Sequence, residues 1–359
     1  MKIIVTHSSP DMDAIASVWL IRKFLPGWED AIVRFVPAGE RLTFRKTQNT
    51  QISGVSDSQI VRQSDSPSSS EFSEVIDKIE ENEVIHVDTG LGPLDHHQTA
   101  DDKVCAASLT WDFVRRRNTD NRGQRSEDGR QKTQKEKDRE EAVSRMVKVV
   151  VDTDHFKEVF WPNPTADHYE FSVGAMLDGL KLAKPNQDEY YVSFVSECLD
   201  AILHEFENRI WAEKEIAENG QKFETRFGKG MGFETINDSV IKLSQKMGYV
   251  IVVRKDSRKG YVRVKARPSE VEHRNVILSK AKDLKNKRDS SSASGETQND
   301  NRDGIDLTLA YEKLKKMDPE ATWFLHIGKK MLLNGSVKNP KMRPTSLGLG
   351  EIIKVLEKI

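Results

Sequence analysis

The chain has 359 residues, of which 36% are hydrophobic and 31% are charged. Its 56 basic and 57 acidic side chains leave a formal net charge of −1, which argues against a protein that holds long duplex DNA by charge alone. No apolar run approaches the roughly 18 residues of a membrane span, and the first, residues 3–5, is too short for a secretory signal. We therefore expect a cytoplasmic protein with no membrane partner.

The first part of the chain alternates short apolar runs with helix-like segments. Strands are predicted at residues 2–6, 31–36 and 83–87, and helices at 14–24, 72–81, 109–115 and 142–151. Strands separated by helices indicate a parallel sheet with right-handed crossovers, and we expect helices on both faces of this sheet. Residues 1–187 are therefore predicted to form an α/β domain.

A helical connector and a smaller α+β domain are expected to follow. Residues 189–227 carry apolar side chains at helical spacing and predict one or two helices, so the connector is placed at 188–228. In the second domain, residues 229–359, the predicted elements are strands at 249–253 and 261–266 around a hairpin turn at 256–260, a helix at 307–317, strands at 322–326 and 330–333, and a helix at 349–357.

Three stretches differ from the rest of the chain in composition. Residues 41–73, 116–141 and 272–303 are rich in Ser, Asn, Asp, Arg and Lys, and we predict that they cannot bury enough apolar surface to order themselves. The second and third share a near-repeat, Thr119-Asp120-Asn121-Arg122 and Asn299-Asp300-Asn301-Arg302. We interpret all three as polar surface insertions in a more compact fold.

Acidic and histidine side chains are concentrated directly after predicted strands. His7, Asp11 and Asp13 follow the first strand, Asp88 and the run Asp95-His96-His97 follow the third, and a further acidic cluster at 151–155 ends an apolar run. In an open α/β sheet, the loops at the carboxyl ends of strands converge on the ligand site. Carboxylates with a few imidazoles suit hard divalent ions, and two adjacent ions need bridging carboxylates, for which we expect Asp88 and Asp152.

Each of these clusters by itself has an ordinary structural explanation. Asp11 or Asp13 alone is typical of a helix N-cap, and Asp95-His96-His97 alone is typical of a solvated turn. It is the conjunction of four clusters in order, each after an apolar run, that favours a metal site. A structural zinc site is disfavoured because no cysteine lies in any of them.

The order His7-x3-Asp11-x-Asp13, Asp88, Asp95-His96-His97 and Asp152 resembles the four-motif pattern of the DHH phosphoesterase superfamily. That superfamily includes single-strand exonucleases, oligoribonucleases, cyclic-dinucleotide phosphodiesterases and family II inorganic pyrophosphatases. A closer resemblance is to the DHH-like family named melanocyte proliferating gene, whose members are 3′-to-5′ RNA exonucleases. It is carried by Thr6-His7, by the tetrad at 95–98 and by segments at 198–227, 261–268 and 324–326.

This resemblance implies a DHH-type catalytic domain with a dinuclear Mn²⁺ site, for which Mg²⁺ or Co²⁺ are alternative ions. The implied metal ligands are His7, Asp11, Asp13, Asp88, His96 and Asp152. His97 is expected to face the scissile phosphate, so His97 and Asp88 are the catalytic candidates. In the expected reaction, a hydroxide shared by the two ions attacks phosphorus in line with the leaving oxygen.

The second domain carries basic side chains that can bind substrate phosphates. Arg263, Lys265 and Arg267 alternate on one predicted strand, and Lys341 and Arg343 lie in a loop that contains proline. The expected substrate is short or single-stranded nucleic acid, or a nucleotide. A homodimer is an open alternative for the assembly.

Other functions stay open at this point. The triplet Ser257-Arg258-Lys259 is similar to one found in family II pyrophosphatases, although a hairpin turn also explains it. A cyclic-dinucleotide phosphodiesterase is a further enzymatic alternative. A catalytically silent nucleotide-binding module is less favoured, because so many carboxylates kept close together repel one another unless a metal ion is present.

Overall fold

The computed structural model describes residues 1–43, 75–123, 132–268, 304–336 and 338–359, except for the side chains of residues 120–123. The predicted insertion at 272–303 lies outside the described residues, as do residues 44–73 of the first insertion and 124–131 of the second. The chain forms two compact units, Met1–Glu207 and Asn208–Ile359. This division falls inside the stretch 188–228 that the sequence assigns to a connector. Within the described ranges, no helix is both long enough and apolar enough to cross a membrane.

The first unit is a mixed α/β structure built on a four-stranded sheet in the order β2-β1-β4-β3. Its strands are β1 (Lys2–His7), β2 (Ile32–Val36), β3 (Asp77–Ile79) and β4 (Asn82–His86). Strands β2, β1 and β4 run parallel, so the predicted parallel pairing is confirmed for these three. The central strand β1 is buried on both faces, since its successive side chains alternate between them and Ile3 to Thr6 are all buried.

The helix predicted at 72–81 is wrong for its described residues. Asp77–Ile79 instead form the edge strand β3, which pairs antiparallel with β4. Glu80 makes the tight turn between the two strands with a left-handed backbone, φ 56°. Hydrogen bonding to a neighbouring strand is a tertiary contact that overrides the helix propensity of so short a segment. The sheet is therefore parallel with one antiparallel edge.

The described residues of the first unit form five α-helices, of which the first three are longer than predicted and the fourth was not predicted. They are α1 (Met12–Phe24), α2 (Ala106–Gly123), α3 (Gln134–Asp154), α4 (Val173–Ala183) and α5 (Asp188–Glu218), of which α5 continues into the second unit. Two short 3₁₀ turns, Lys157–Phe160 and Asp167–Phe171, lie between α3 and α4.

The prediction that residues 116–141 do not order themselves is wrong where the structure describes them, because α2 and α3 extend into this stretch. Thr133 and Glu136 form a capping box that satisfies backbone N–H groups at the start of α3. Arg145 and Glu141 pair at 2.6 Å, one helical turn apart. Polar helical extensions of this kind continue buried helices and need no core of their own.

The long helical pattern at 189–227 also ends earlier than predicted. Helix α5 stops at Glu218, and residues 221–225 form strand β5. Gly220 lies at the transition, where an added Cβ would stand 2.7 Å from the Ile216 carbonyl oxygen. Phe223 of β5 is buried in the core of the second unit, and this burial of a strand face explains why the helical periodicity does not continue.

The second unit is built on a six-stranded sheet in the order β5-β6-β7-β8-β10-β9. Its strands are β5 (Gln221–Thr225), β6 (Gly228–Glu234), β7 (Ile251–Lys255), β8 (Val262–Ala266), β9 (Phe324–Leu325) and β10 (Met331–Asn334), and its further helices are α6 (Ser239–Lys246), α7 (Thr308–Met317) and α8 (Leu349–Leu356). Only the β6–β7 pairing is parallel. The α+β character predicted for this part of the chain is confirmed.

Strand β7 is buried on both sides of this sheet. Ile251 and Val253 belong to a core that includes Leu314 of α7, whereas Val252 belongs to a core that includes Ile241 of α6. Burial on both faces explains the unbroken apolar run of this strand. The predicted hairpin of β7 and β8 is confirmed by their antiparallel pairing.

Candidate metal centre

The ends of β1 and β4 bring the first two predicted ligands together. In the parallel pairing of these strands, each β1 residue faces the β4 residue 81 positions later, and His7 and Asp88 keep this spacing just beyond the last pair. His7 Nε2 lies 3.2 Å from Asp88 Oδ2. Asp88 has a left-handed backbone, φ 52°, and its N–H donates to the Leu94 carbonyl at 3.0 Å. This hydrogen bond brings the loop that follows Asp88 back toward the site.

Asp11 caps helix α1 and also reaches the cluster. Its Oδ1 accepts a hydrogen bond from the Ala14 N–H at 3.0 Å, while its Oδ2 lies 3.9 Å from His7 Nε2. The capping explanation and the metal-ligand explanation are therefore compatible, because they use different oxygens of one carboxylate.

Asp13 is buried against the start of α2. Its two oxygens accept hydrogen bonds from the N–H groups of Ala106 and Ala107, both at 2.7 Å, and the Cys105 thiol also bonds to it. The first turn of a helix offers unpaired N–H groups and a favourable dipole for a negative charge. The two backbone hydrogen bonds hold this carboxylate rigidly. It lies at the edge of the cluster, with Oδ2 3.7 Å from His96 Nε2.

The loop with Asp95-His96-His97 folds around its own acidic residue. Asp95 is buried and accepts hydrogen bonds from the N–H groups of Leu91 at 2.8 Å and His97 at 3.1 Å. His97 Nδ1 also lies 2.7 Å from Asp95 Oδ1. Asp95 therefore positions the loop, whereas His96 and His97 both approach Asp88 Oδ1, at 3.6 and 3.7 Å.

The carboxylate that closes the cluster is that of Asp154, whereas the sequence favoured Asp152. Asp154 Oδ2 lies 3.6 Å from His96 Nε2, and the ring of His155 lies nearly perpendicular to that of His96. Neither Asp152 nor Asp13 belongs to the three Asp/His groups found among the described residues, although Asp13 contacts His96. Two positions along a helix correspond to roughly 200°, so Asp152 and Asp154 point to different sides of α3.

Three overlapping groups result, in each of which the ligand atoms lie within 4.8 Å of one another. They are His7, Asp11 and Asp88; Asp88, His96 and His97; and His96, Asp154 and His155. Asp88 joins the first two groups through different oxygens, Oδ2 toward His7 and Oδ1 toward His96. This is the arrangement that a carboxylate shared between two neighbouring cations requires.

Burial and mutual repulsion perturb the acids of the cluster. Burial raises the pKa of Asp13 well above its usual range, and the nearby charge of Asp88 adds to this. Burial also raises the pKa of Asp154, to which the charges of Asp11 and Asp88 contribute. The charges of His96 and His155 oppose this shift at Asp154 without cancelling it. A bound cation would favour the charged form of both carboxylates.

The same carboxylates raise the pKa values of two histidines. Burial of His7 opposes protonation, but the hydrogen bond to the Asp88 carboxylate, the bond to the Ser8 carbonyl and the charges of Asp11 and Asp88 together raise the pKa to about 9. Burial likewise opposes protonation of His97, but the bond to Asp95 and the charges of Asp88, Asp95 and Asp154 together raise the pKa of His97.

Lys181 and Asp188, which the sequence did not single out, hold the loop between His7 and Asp11. Lys181 Nζ donates to the Ser9 carbonyl at 3.1 Å, and the Ser9 N–H donates to Asp188 Oδ2 at 3.2 Å. In the described part of the chain, no carboxylate lies within ion-pairing distance of Lys181. A half-buried ammonium bonded to a carbonyl therefore stands at the rim of the acidic cluster.

Two of the predicted substrate-binding residues are engaged within the second unit. Arg263 forms an ion pair with Asp238, which also accepts from Arg254 Nε at 2.9 Å, and Arg343 pairs with Glu320 at 2.7 Å. Lys265 lies on β8 beside Arg263, and Arg267 follows the end of that strand. Lys341 is exposed.

The triplet Ser257-Arg258-Lys259 forms the tip of the β7–β8 hairpin. Asp256 Oδ1 accepts hydrogen bonds from the N–H groups of Arg258 at 2.8 Å and Lys259 at 3.1 Å. Gly260 closes the turn with φ 68°, a conformation that suits glycine. The hairpin explanation of this triplet is confirmed.

A cavity of about 600 Å³ lies between α1, β2 and α5, toward the opposite end of α1 from the metal cluster. Two of the charged groups that line it pair with each other, because Lys23 Nζ lies 2.7 Å from Asp200 Oδ1, which also accepts from Trp19 Nε1 at 2.8 Å.

A comparison of the chain with protein-family models, curated proteins and solved structures found no match. Inferences about function therefore rest on the Asp/His cluster itself.

Proposed function

We propose that this chain is a metal-dependent phosphoesterase with a DHH-type catalytic domain, which hydrolyses phosphodiester bonds in short or single-stranded nucleic acid in the manner of a 3′-to-5′ exonuclease. The observation that carries the proposal is the position of Asp88, whose Oδ2 faces His7 at 3.2 Å and whose Oδ1 faces His96 at 3.6 Å. A carboxylate with separate partners on each oxygen suits a pair of adjacent divalent cations.

The residues present fit such ions. Among the described residues, no hydrogen-bond donor reaches Asp88 Oδ1 or Asp154 Oδ2, although both atoms are buried. Buried oxygens without donors are costly, and cations would satisfy them. The donors are carboxylates and imidazoles, a set that favours Mn²⁺, with Mg²⁺ or Co²⁺ as alternatives. His7, Asp11, Asp13, Asp88, His96 and Asp154 are the proposed ligands.

The chain's own residues orient the reaction. When bound, divalent ions supply a water nucleophile of lowered pKa and offset negative charge on the phosphoryl group. Asp95 accepts the Nδ1 proton of His97, which fixes the imidazole and turns Nε2 away from Asp95. The His97 side chain is 59% exposed, so a substrate can approach it. The raised pKa of His97 favours its protonated ring, and a proton at Nε2 can pass to the leaving oxygen.

The test of this function offers four substrates to the purified protein with Mn²⁺: a labelled RNA 5-mer, single-stranded DNA, a cyclic dinucleotide and pyrophosphate. We expect release of mononucleotides from the oligomers and loss of this activity in Asp88→Asn. Asp112→Asn is the matched control, because Asp112 pairs with Arg115 on the exposed side of α2, at 3.2 Å. Phosphate release from pyrophosphate alone would contradict the proposal, as would full activity of Asp88→Asn.

A further inference from the structure

An exposed aromatic side chain directly follows, along the chain, a histidine of the candidate metal centre. Phe156 follows His155, a member of the group formed with His96 and Asp154, and it is 73% exposed. Consecutive Cα atoms are about 3.8 Å apart, so Phe156 begins one residue from this group. An exposed phenylalanine gains little from the hydrophobic effect, so burial does not explain its presence here.

The backbone of Phe156 is strained. Its φ of 53° is left-handed, a conformation that side chains with a Cβ adopt at a steric cost and that concentrates at functional sites. The neighbours on either side hold it there. His155 Nε2 lies 2.9 Å from the Val104 carbonyl, and Lys157 Nζ lies 3.2 Å from Asp102 Oδ2. Both contacts are made to residues 102–104, and the Phe156 side chain between them is exposed.

We propose that Phe156 is the stacking surface for a nucleobase adjacent to the hydrolysed bond, which makes a base-bearing strand rather than a bare pyrophosphate the substrate. This inference rests on the proposed phosphoesterase function. The Asp/His cluster accounts for the phosphate of a substrate, and Phe156, one residue after His155, offers an exposed π-face for the base attached to it. Stacking on an aromatic ring tolerates any base, which suits an enzyme that acts along a strand without reading its sequence.

Phe171 provides a matched comparison. It is 89% exposed and lies at the end of the second 3₁₀ turn, and its backbone is not left-handed. Phe156 and Phe171 are thus similar in chemistry and exposure but differ in backbone strain and in distance along the chain from His155. A general contribution of exposed apolar surface would involve both residues, whereas a specific stacking position involves Phe156 alone.

The experiment measures binding separately from hydrolysis. A 5′-fluorescein RNA 5-mer, and an oligomer of equal length with every base replaced by an abasic site, are titrated with the full chain in Ca²⁺, and anisotropy gives Kd. We expect Phe156→Ala to raise the Kd of the RNA about tenfold and to leave that of the abasic oligomer unchanged. Phe156→Trp and Phe171→Ala should bind the RNA like the wild type.

A second measurement distinguishes stacking from a structural role. Glycine adopts a left-handed backbone freely, so Phe156→Gly should melt at a higher temperature than Phe156→Ala and yet bind RNA as weakly. Equal Kd values for RNA and abasic oligomer in the wild type would overturn the inference, as would equal weakening by Phe171→Ala. A change from dimer to monomer in Phe156→Ala, seen by sedimentation, would also overturn it, because a second copy would then cover the ring.

The two proposals fail in different ways. If RNA binding depends on Phe156 but Mn²⁺ supports no cleavage of any oligomer, Phe156 binds a nucleobase and the phosphoesterase function is wrong. If the wild type cleaves RNA in Mn²⁺ but neither its Kd nor its abasic discrimination depends on Phe156, the enzyme stands and the stacking site is wrong.

Discussion

His96 Nε2 lies 3.6 Å from Asp154 Oδ2, so the last residue of α3 meets the loop that follows β4. The buried side chains of α3 include Val143, Val147 and Val150. Steps of three or four residues along this stripe lead to Asp154 and bypass Asp152. The face of α3 that packs into the first unit therefore also places the Asp154 carboxylate next to His96.

Asp154→Asn and Asp152→Asn form a matched pair of substitutions on the same helix. We expect Asp154→Asn to weaken Mn²⁺ binding and to reduce hydrolysis more than about a hundredfold, since loss of a ligand exceeds the effect of residues that merely support one. Asp152→Asn should retain both within about twofold. Isothermal titration with Mn²⁺ and a rate measurement check this, and the reverse ranking would restore the sequence-based assignment.

Asp88→Asn should change the number of ions bound. Because each oxygen of Asp88 faces a different group, asparagine, which keeps one oxygen and carries no charge, can serve at most one of them. We expect titration with Mn²⁺ to give two ions per wild-type chain and at most one in Asp88→Asn, while Asp112→Asn keeps two. Two ions bound with unchanged affinity in Asp88→Asn would show that this carboxylate is not shared.

Lys181→Ala should weaken substrate binding through charge. Its ammonium stands at the rim of the cluster and is bonded to the Ser9 carbonyl, so it can contact a substrate phosphate. We expect KM to rise about tenfold with kcat within about twofold, and the salt dependence of KM to fall by about one ionic contact. Lys184→Ala is the control, because Lys184 Nζ lies over the Tyr190 ring at 4.7 Å. An unchanged salt dependence in Lys181→Ala would contradict the role.

Asp318 should contribute stability that depends on pH. Its Oδ2 accepts hydrogen bonds from Thr345 Oγ1 at 2.8 Å and from the Ser346 N–H at 2.8 Å, and these bonds lower the pKa of Asp318. We expect Asp318→Asn to lower the free energy of unfolding by about 2 kcal/mol at pH 7. A lowered carboxyl pKa stabilises the fold above the usual value near 4, and this contribution is lost as pH falls through the folded-state pKa.

Urea denaturation of the full chain at several pH values checks this prediction. The difference in unfolding free energy between wild type and Asp318→Asn should stay constant from pH 7 to about 5 and shrink below about 4. Glu320→Gln is the control, because the Glu320 side chain is 85% exposed and should contribute little. A difference that grows toward low pH would reverse the sign and refute the ionised state proposed for Asp318.

Local patterns predicted most of the fold because they depend on burial alone. Strand β1 and helix α1 are buried where the sequence is apolar, and the β7–β8 hairpin follows from its turn residues. The helix predicted over residues 77–79 was wrong because strand β3 exists only through its pairing with β4. The predicted end of α5 was also wrong, since Phe223 lies on a strand and packs into the core of the second unit, which helical spacing alone does not reveal.

The sequence by itself determined which residue types gather after which strands, and therefore the Asp/His chemistry of the candidate site. The register of β1 against β4 decided that His7 meets Asp88, and the rotation of α3 decided that Asp154 rather than Asp152 faces His96. Neither follows from spacing along the chain, because strand register and helix orientation are fixed by packing between distant segments. The structure likewise shows, as the sequence did not, that Phe156 is strained and exposed one residue after His155.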